Sequence, residues 1–233
     1  MADCVLSTSY VMAEETKKYT PRPILVTPFG IDMELFKPEP VTSLFAETDI
    51  VIGTVKVLDE VYDIDYLIKA FKLVKDRHPE LSLKLMIVGR GGQAAELKKL
   101  ADDLGLSKDT IFTGFVNHSK VHVYHNMMDI ACFLSNSESF GVSVLEASSC
   151  EKPVVVSNVG GLPEVVDEGS TGFIVPPRDE KAAAQAIERL ILHPELREQF
   201  GKNGRQKVKL LYDWNENLVG IIKIYDDILS NAN

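Results

Sequence analysis

Two carboxylates, Glu138 and Glu146, stand with seven residues between them in the stretch SESFGVSVLEASSCEKPVVVSNVGGLPEVVDEGSTGFIVPP, residues 137–177. Phe140 and Gly141 follow the first and open a predicted helix. Gly141 lacks a Cβ and so admits close approach of the backbone to a ligand. The N–H groups of the helix's first turn have no intrahelical acceptor, and the helix dipole adds partial positive charge there, which suits a pyrophosphate. Glu146, about a turn and a half into the helix, is placed to accept hydrogen bonds from a ribose diol, as acidic residues of nucleotide-binding sheets do. Glu138 precedes the helix and can reach a sugar beyond the phosphates. A predicted buried strand, Pro153 to Ser157, and a second glycine turn, Gly160-Gly161, with Glu164 behind it, complete the stretch. This is equipment for binding a sugar nucleotide. A two-carboxylate glycosidase fits less well: such pairs face each other at about 5 to 9.5 Å. Glu138 and Glu146 lie along one loop–helix element, spread over about 10 Å by helical rise.

These elements sit in a chain whose strands alternate with helices, the pattern of a doubly wound parallel α/β sheet. Strands are predicted at Ile50–Val57, Leu83–Val88, Thr110–Thr113, Asp129–Leu134, Pro153–Ser157 and Phe173–Val175. Helices are predicted near Ile64–His78, Ala94–Leu104, from an Asn117 cap to Asn126, and over most of the chain beyond Glu180. The 25 basic and 34 acidic residues leave a formal net charge of −9, which disfavours nucleic-acid binding through a basic surface. No apolar run approaches the roughly 18 residues of a membrane-spanning helix, and no secretory leader is evident. Cys4, Cys132 and Cys150 lack metal or redox spacing. Cys132 and Cys150 fall in apolar runs and are expected as buried thiols, which fits a reducing cytoplasm. His118, His122 and His125 have helical spacing, but no further ligand completes a metal site; an exposed polar helix face is expected. Gly89-Arg90-Gly91-Gly92 lacks the full spacing of a dinucleotide fingerprint.

ESFGVSVLEA, PVVVSNVGGLPEVV and GSTGFIVPPRD resemble the donor site of the family-4 (group 1) retaining glycosyltransferases. VTPFGIDMELFKP is similar to that family's interdomain linker, IGTVKVLDEVYDIDYLIKAF to its first donor-domain strand, loop and helix. LMIVGRGG, IFTGFV and MDIACFLSNSESFG follow in the family's order. The resemblance implies one half of a two-domain fold with two Rossmann-like (glycosyltransferase B-type) domains facing across a cleft. Residues 1–28 then correspond to the tail of an otherwise missing N-terminal acceptor domain, 29–212 to the donor domain, and 213–233 to a helix that crosses back. In that helix Ile221, Ile222, Tyr225, Ile228 and Leu229 have apolar helical spacing.

The resemblance also implies front-face transfer of a sugar from a UDP, GDP or ADP sugar to an unknown acceptor hydroxyl, the departing phosphate helping to take the acceptor's proton. Glu138 is the implied catalytic residue, orienting the donor sugar. Phe140, Gly141 and Val142 offer backbone at the phosphates, Glu146 holds the ribose, Gly89 lies in a glycine turn that approaches the nucleotide, and Phe115 and Val116 fall where backbone groups meet the base. Lys56 neutralises the diphosphate; no cofactor or metal is implied. A cytoplasmic protein without membrane contact is expected, peripheral to a membrane when full length. The loop after the first strand departs from the family. Lys56 stands for the usual Arg, which offers a planar fork that Lys lacks. The second Lys is lost, with Val61 or Tyr62 at its place, and Asp63 replaces a Gly. A catalytically silent nucleotide-sugar-binding module and a sugar-nucleotide epimerase on the same fold are the alternatives.

Overall fold

The structure, a computed structural model, describes residues 4–231. The first three residues and the last two, which belong to the expected N-terminal remnant and crossing helix, lie outside the described residues. The chain opens with β1 (Val5–Ser7), α1 (Tyr10–Lys17) and β2 (Ile24–Val26). β1 and β2 pair in parallel as a separate two-stranded sheet.

The main body begins at β3 (Ile50–Val55) and continues through α2 (Ile64–Arg77), β4 (Leu83–Val88), α3 (Ala94–Asp103), β5 (Thr110–Gly114), α4 (Val121–Met127) and β6 (Ile130–Phe133). It ends with α5 (Val142–Ser149), β7 (Val154–Ser157), α6 (Leu162–Val165), β8 (Gly172–Val175), α7 (Glu180–Leu192), α8 (Pro194–Leu211) and α9 (Trp214–Asn231). Six strands form one parallel sheet in the order β5-β4-β3-β6-β7-β8. Counted from β3 as first strand, this is 3-2-1-4-5-6, the order of dinucleotide-binding sheets.

The apolar runs follow from burial on both faces, which leaves no alternation of polar and apolar residues. Ile52, Leu85, Ile87, Ile130, Cys132 and Val155 point to one side, where α2, α3 and α7 pack. Val51, Met86, Val88, Ala131, Phe133, Val154 and Val156 point to the other, where α5 and α8 pack. Both buried cysteines are free thiols, and burial pushes Cys150 up to about 12.

Several expected boundaries shift. β3 ends at Val55, so Lys56 leaves the strand rather than ending inside it. The single helix expected from Asn117 to Asn126 is broken: the Asn117 side chain caps a short 3-10 turn, His118–Lys120, before α4. Of the three histidines expected on an exposed face, only His118 is exposed. His125 is fully buried, and the rings of His118, His122 and His125 surround Phe36 at 5.5, 6.5 and 6.2 Å. In α9, Trp214, Leu218, Val219, Ile222 and Tyr225 are exposed. Among the described residues no helix is long and apolar enough to cross a membrane.

Candidate functional site

Strand order reverses between β3 and β6, and in open α/β sheets ligands bind outside the carboxyl ends of the strands at such a switch point. Lys56 leaves β3 there and Glu138 follows β6. Their side chains, 10% and 12% exposed, form an ion pair. The Lys56 ammonium also lies 4.4 Å from the centroid of the Tyr62 ring. Tyr62, not Val61, is therefore the residue whose ring meets Lys56. Burial is the largest influence on the Tyr62 phenol and raises its pKa, with the Glu138 and Asp59 charges adding to it. The phenol stays protonated.

Asp63 has φ +44°, the left-handed conformation, and caps α2. A glycine would take this conformation without strain; Asp is one of the few other residues that tolerate it. The departure from the family at Asp63 thus keeps the backbone. The Asp63 carboxylate accepts a hydrogen bond from Arg178 Nε at 3.2 Å. Burial, the leading influence, raises its pKa against the opposing effect of Arg178.

A cavity of about 810 Å³ opens at these strand ends, lined by residues that include Lys56, Tyr62, Gly89, Arg90, Phe115, Val116 and Ser143. Of the expected site residues, Lys56, Gly89 and Val116 line it directly. Gly89 has φ +143°, and a Cβ there would stand 1.8 Å from the Lys56 carbonyl oxygen, so the β4 turn is pressed onto the end of β3. Ser143, in the first turn of α5, brings that helix's N-terminus to the cavity wall. Gly141 caps α5 with φ +112°, a second reason for glycine beyond its lack of a Cβ. Phe140 turns inward: it is 2% exposed and packs edge-on against Phe29 and Tyr212 at 5.7 and 5.8 Å. Its side chain anchors the loop, and only its backbone is left for a ligand.

Glu146 is buried and carries partners that sequence reasoning missed. Its carboxylate meets His118 Nε2 at 2.8 Å and His125 Nε2 at 3.6 Å. Burial is the strongest influence and raises its pKa, but the proximity of the His125 and His118 imidazoles outweighs it, and the carboxyl lies below its usual range; of the two, only His118 is within hydrogen-bond distance. The one available signal was spacing: a separation of seven would put His118 and His125 on one side of the single helix expected there. Among the described residues no group of three or more His, Cys, Asp or Glu side chains is arranged to hold a metal ion.

The second glycine turn packs against the Glu138 loop. The Gly161 N–H donates to the Glu138 carbonyl at 3.0 Å. A Cβ on Gly160, whose φ is +50°, would stand 1.7 Å from that same oxygen. The turn is a pedestal for the Glu138 loop. Glu164 is engaged too: its carboxylate accepts the Tyr10 and Val11 N–H groups at 2.9 and 2.8 Å, at the start of α1. Ser9, which caps α1, donates from its hydroxyl to the Ser139 carbonyl at 2.8 Å.

Comparison with known proteins agrees with this geometry. The model of the group 1 glycosyl transferases matches residues 37–207. An uncharacterised glycosyltransferase of Methanocaldococcus jannaschii is 32% identical over 162 residues, covering 70% of this chain and 41% of the relative. A D-inositol 3-phosphate glycosyltransferase of Corynebacterium jeikeium is 31% identical over 183 residues, 76% of this chain and 43% of the relative. The chain therefore spans about two fifths of the length of these relatives. Among solved structures, sucrose-phosphate synthase from Thermosynechococcus elongatus superposes with a TM-score of 0.87 at 26% identity, over 99% of this chain and 59% of the other. HepE of Anabaena, in complex with UDP and glucose, shares the fold with a TM-score of 0.86 at 22% identity, over 97% of this chain and 63% of the other. With most of its length matched by one family model and its sheet, switch point and loop order in agreement, this chain belongs to the group 1 glycosyl transferases.

Proposed function

We propose that the chain is the donor-binding half of a retaining glycosyltransferase that moves a sugar from a nucleoside diphosphate sugar to an acceptor hydroxyl. The observation that carries this reading is the meeting of Lys56 and Glu138 at the sheet's switch point, with Lys56 lining a cavity of about 810 Å³. In this account Lys56 and the first N–H groups of α5, around Val142, neutralise the diphosphate that develops charge as the sugar leaves. Phe140 and Gly141 hold that backbone in place. Glu138 orients the donor sugar, Glu146 takes the ribose hydroxyls, and Gly89 and Val116 flank the base. The UDP bound in HepE and the transferase names of the relatives support a nucleotide-sugar donor.

The Lys56–Glu138 pair has a consequence for binding. A diphosphate must draw the ammonium from the carboxylate, or bind with the ammonium shared between them. Acceptor contacts belong to a facing N-terminal domain, of which residues 1–28 are the tail and α9 the returning helix. One reactant's site alone cannot hold both reactants in one geometry. The test is to titrate the chain with UDP, GDP and ADP sugars and follow the sugar by NMR. Binding without appreciable transfer is expected. No binding, or transfer by this chain alone, contradicts the reading. A second reading, a binding module without catalysis, draws support from Tyr62, a neutral ring where a second cation would assist departure.

A further inference from the structure

Glu146 is a buried carboxylate with acceptor capacity to spare. An ionised carboxylate can accept about four hydrogen bonds, and a buried polar group left short of partners is costly. Among the described residues only His118 lies within hydrogen-bond distance of it, with Nε2 at 2.8 Å from Oε1. His125 Nε2 stands 3.6 Å from Oε2 and completes no hydrogen bond. Because a carboxylate only accepts, the His118 Nε2 carries the proton of this contact. The pair spans two depths: the His118 side chain is 69% exposed and that of Glu146 5%. Ser143, one turn before Glu146 on the same face of α5, and Val121, which opens α4, both line the cavity.

The mounting of His118 is specific. Asn117 Oδ1 accepts the Ser119 N–H at 3.1 Å and the Ser119 hydroxyl at 2.9 Å, which closes the 3-10 turn that carries the imidazole. The His118 ring packs on Phe36. Burial raises the Glu146 pKa, but the two imidazoles outweigh it, so the carboxylate stays ionised and purely an acceptor. His122 provides a contrast within the same cluster. Its ring also packs on Phe36, but its Nε2 meets Glu39, at 3.2 Å.

Resting on the donor-site reading above, we infer that His118 is a positioning residue for the ribose: by holding one oxygen of Glu146 it aims the unused acceptor sites of the carboxylate at the diol of a nucleotide. A ribose diol brings two O–H donors, the groups that this buried carboxylate lacks. Without His118 the carboxylate has no hydrogen bond to fix its torsion, and the ligand must order it, at a cost to affinity. The imidazole therefore acts on the ribose contact alone and not on the phosphates.

The experiment measures calorimetric affinities of UDP, GDP and ADP and of their 2′,3′-dideoxy counterparts, which lack the diol. The proteins are the parent, His118→Ala, His118→Gln, His122→Ala and Glu146→Ala, each checked for folding by circular dichroism. The parent is expected to prefer the ribose form of the nucleotide it binds by about tenfold or more, the scale of hydrogen bonds to a charged group. His118→Ala should lower that preference by about threefold or more, by weakening the ribose form and leaving the dideoxy form unchanged. His118→Gln, whose amide N–H can replace Nε2–H, should restore it, and His122→Ala should leave it as in the parent. A preference unchanged in His118→Ala, an equal loss for both sugar forms, or a tighter ribose form overturns the inference. So does a failure of His118→Gln to restore the preference, or an equal fall in His122→Ala, since either would assign the effect to packing on Phe36. In all these cases Glu146→Ala still abolishes the preference, and the ribose reading stands. A parent without a preference, or a preference that survives Glu146→Ala, removes Glu146 from the ribose and the inference with it. A parent that binds none of the nucleotides rejects both the donor site and the inference.

Discussion

The two carboxylates of one loop–helix element live in different surroundings. Glu138 stands before α5 and is paired with a cation, Lys56, that comes from another strand end. Glu146 lies inside α5 and is held by two imidazoles, His118 and His125. A carboxylate tied to the cation that a diphosphate would seek is in competition with the ligand. A carboxylate hydrogen-bonded by one imidazole and faced by a second is oriented for one. On the proposed donor-site reading, the Glu138 side chain is the moving end, which must rearrange to admit a diphosphate, and Glu146 is the fixed end.

The largest effect expected from breaking this contrast comes from beneath Glu138. Gly160→Ala puts a methyl group 1.7 Å from the Glu138 carbonyl oxygen at a left-handed backbone position. We expect a loss of about 2–4 kcal/mol in a denaturant melt, from overpacking and backbone strain together. A stability within experimental error of the parent would mean that the turn does not support the loop.

At the fixed end, Glu146→Ala should weaken nucleotide binding by about 1.5–3 kcal/mol, the range for hydrogen bonds to a charged group. A 2′-deoxy nucleotide should lose part of that energy in the parent and little more in the variant. Equal losses in both would remove Glu146 from the ribose. The same carboxyl also sets a pH dependence. Its folded pKa is depressed, so its contribution to stability is present above the unfolded value and is lost as pH falls through the lowered folded one. Glu146→Gln should therefore flatten the acid limb of the pH–stability profile. An unaltered limb would show that the imidazoles do not hold the carboxylate.

The smallest effect sharpens the moving end. Tyr62→Lys returns a second cation beside Lys56 and should tighten diphosphate binding by about 1 kcal/mol, a gain that shrinks as salt is raised. A gain indifferent to salt would show that the new ammonium does not act through charge.

Much of this architecture could be read from the residues. The four central strands, β3, β4, β6 and β7, are apolar on both faces, so IVIG, LMIV, IACF and VVV stand out as buried runs. Gly141 marked the start of α5 because a helix N-terminus beside a ligand suits that residue. Long-range pairing was out of reach. Lys56 and Glu138 are 82 positions apart, and nothing local distinguishes a lysine free for phosphate from one tied to a carboxylate. What Gly160-Gly161 makes room for was not legible, because a glycine that makes room for a neighbouring loop has the same local signature as one that makes room for a ligand. The histidines looked like a surface stripe because Phe36, the ring they enclose, lies about eighty positions upstream. Asp63 shows the reverse case: the residue departs from the family, yet the backbone conformation that favours glycine is retained.

The central claim is that the cation at the end of β3 meets the diphosphate of a nucleotide sugar. The most direct measurement is calorimetry of UDP, GDP and ADP and of their nucleosides with Glu138→Gln and with the double variant Lys56→Ala/Glu138→Gln. Neutralising Glu138 in both proteins keeps its freed charge from repelling the ligand in one of them alone. The account predicts that removing Lys56 weakens at least one diphosphate by about 1.5–3 kcal/mol and leaves the matching nucleoside almost unchanged. Equal effects on diphosphate and nucleoside, or none on either, would contradict it.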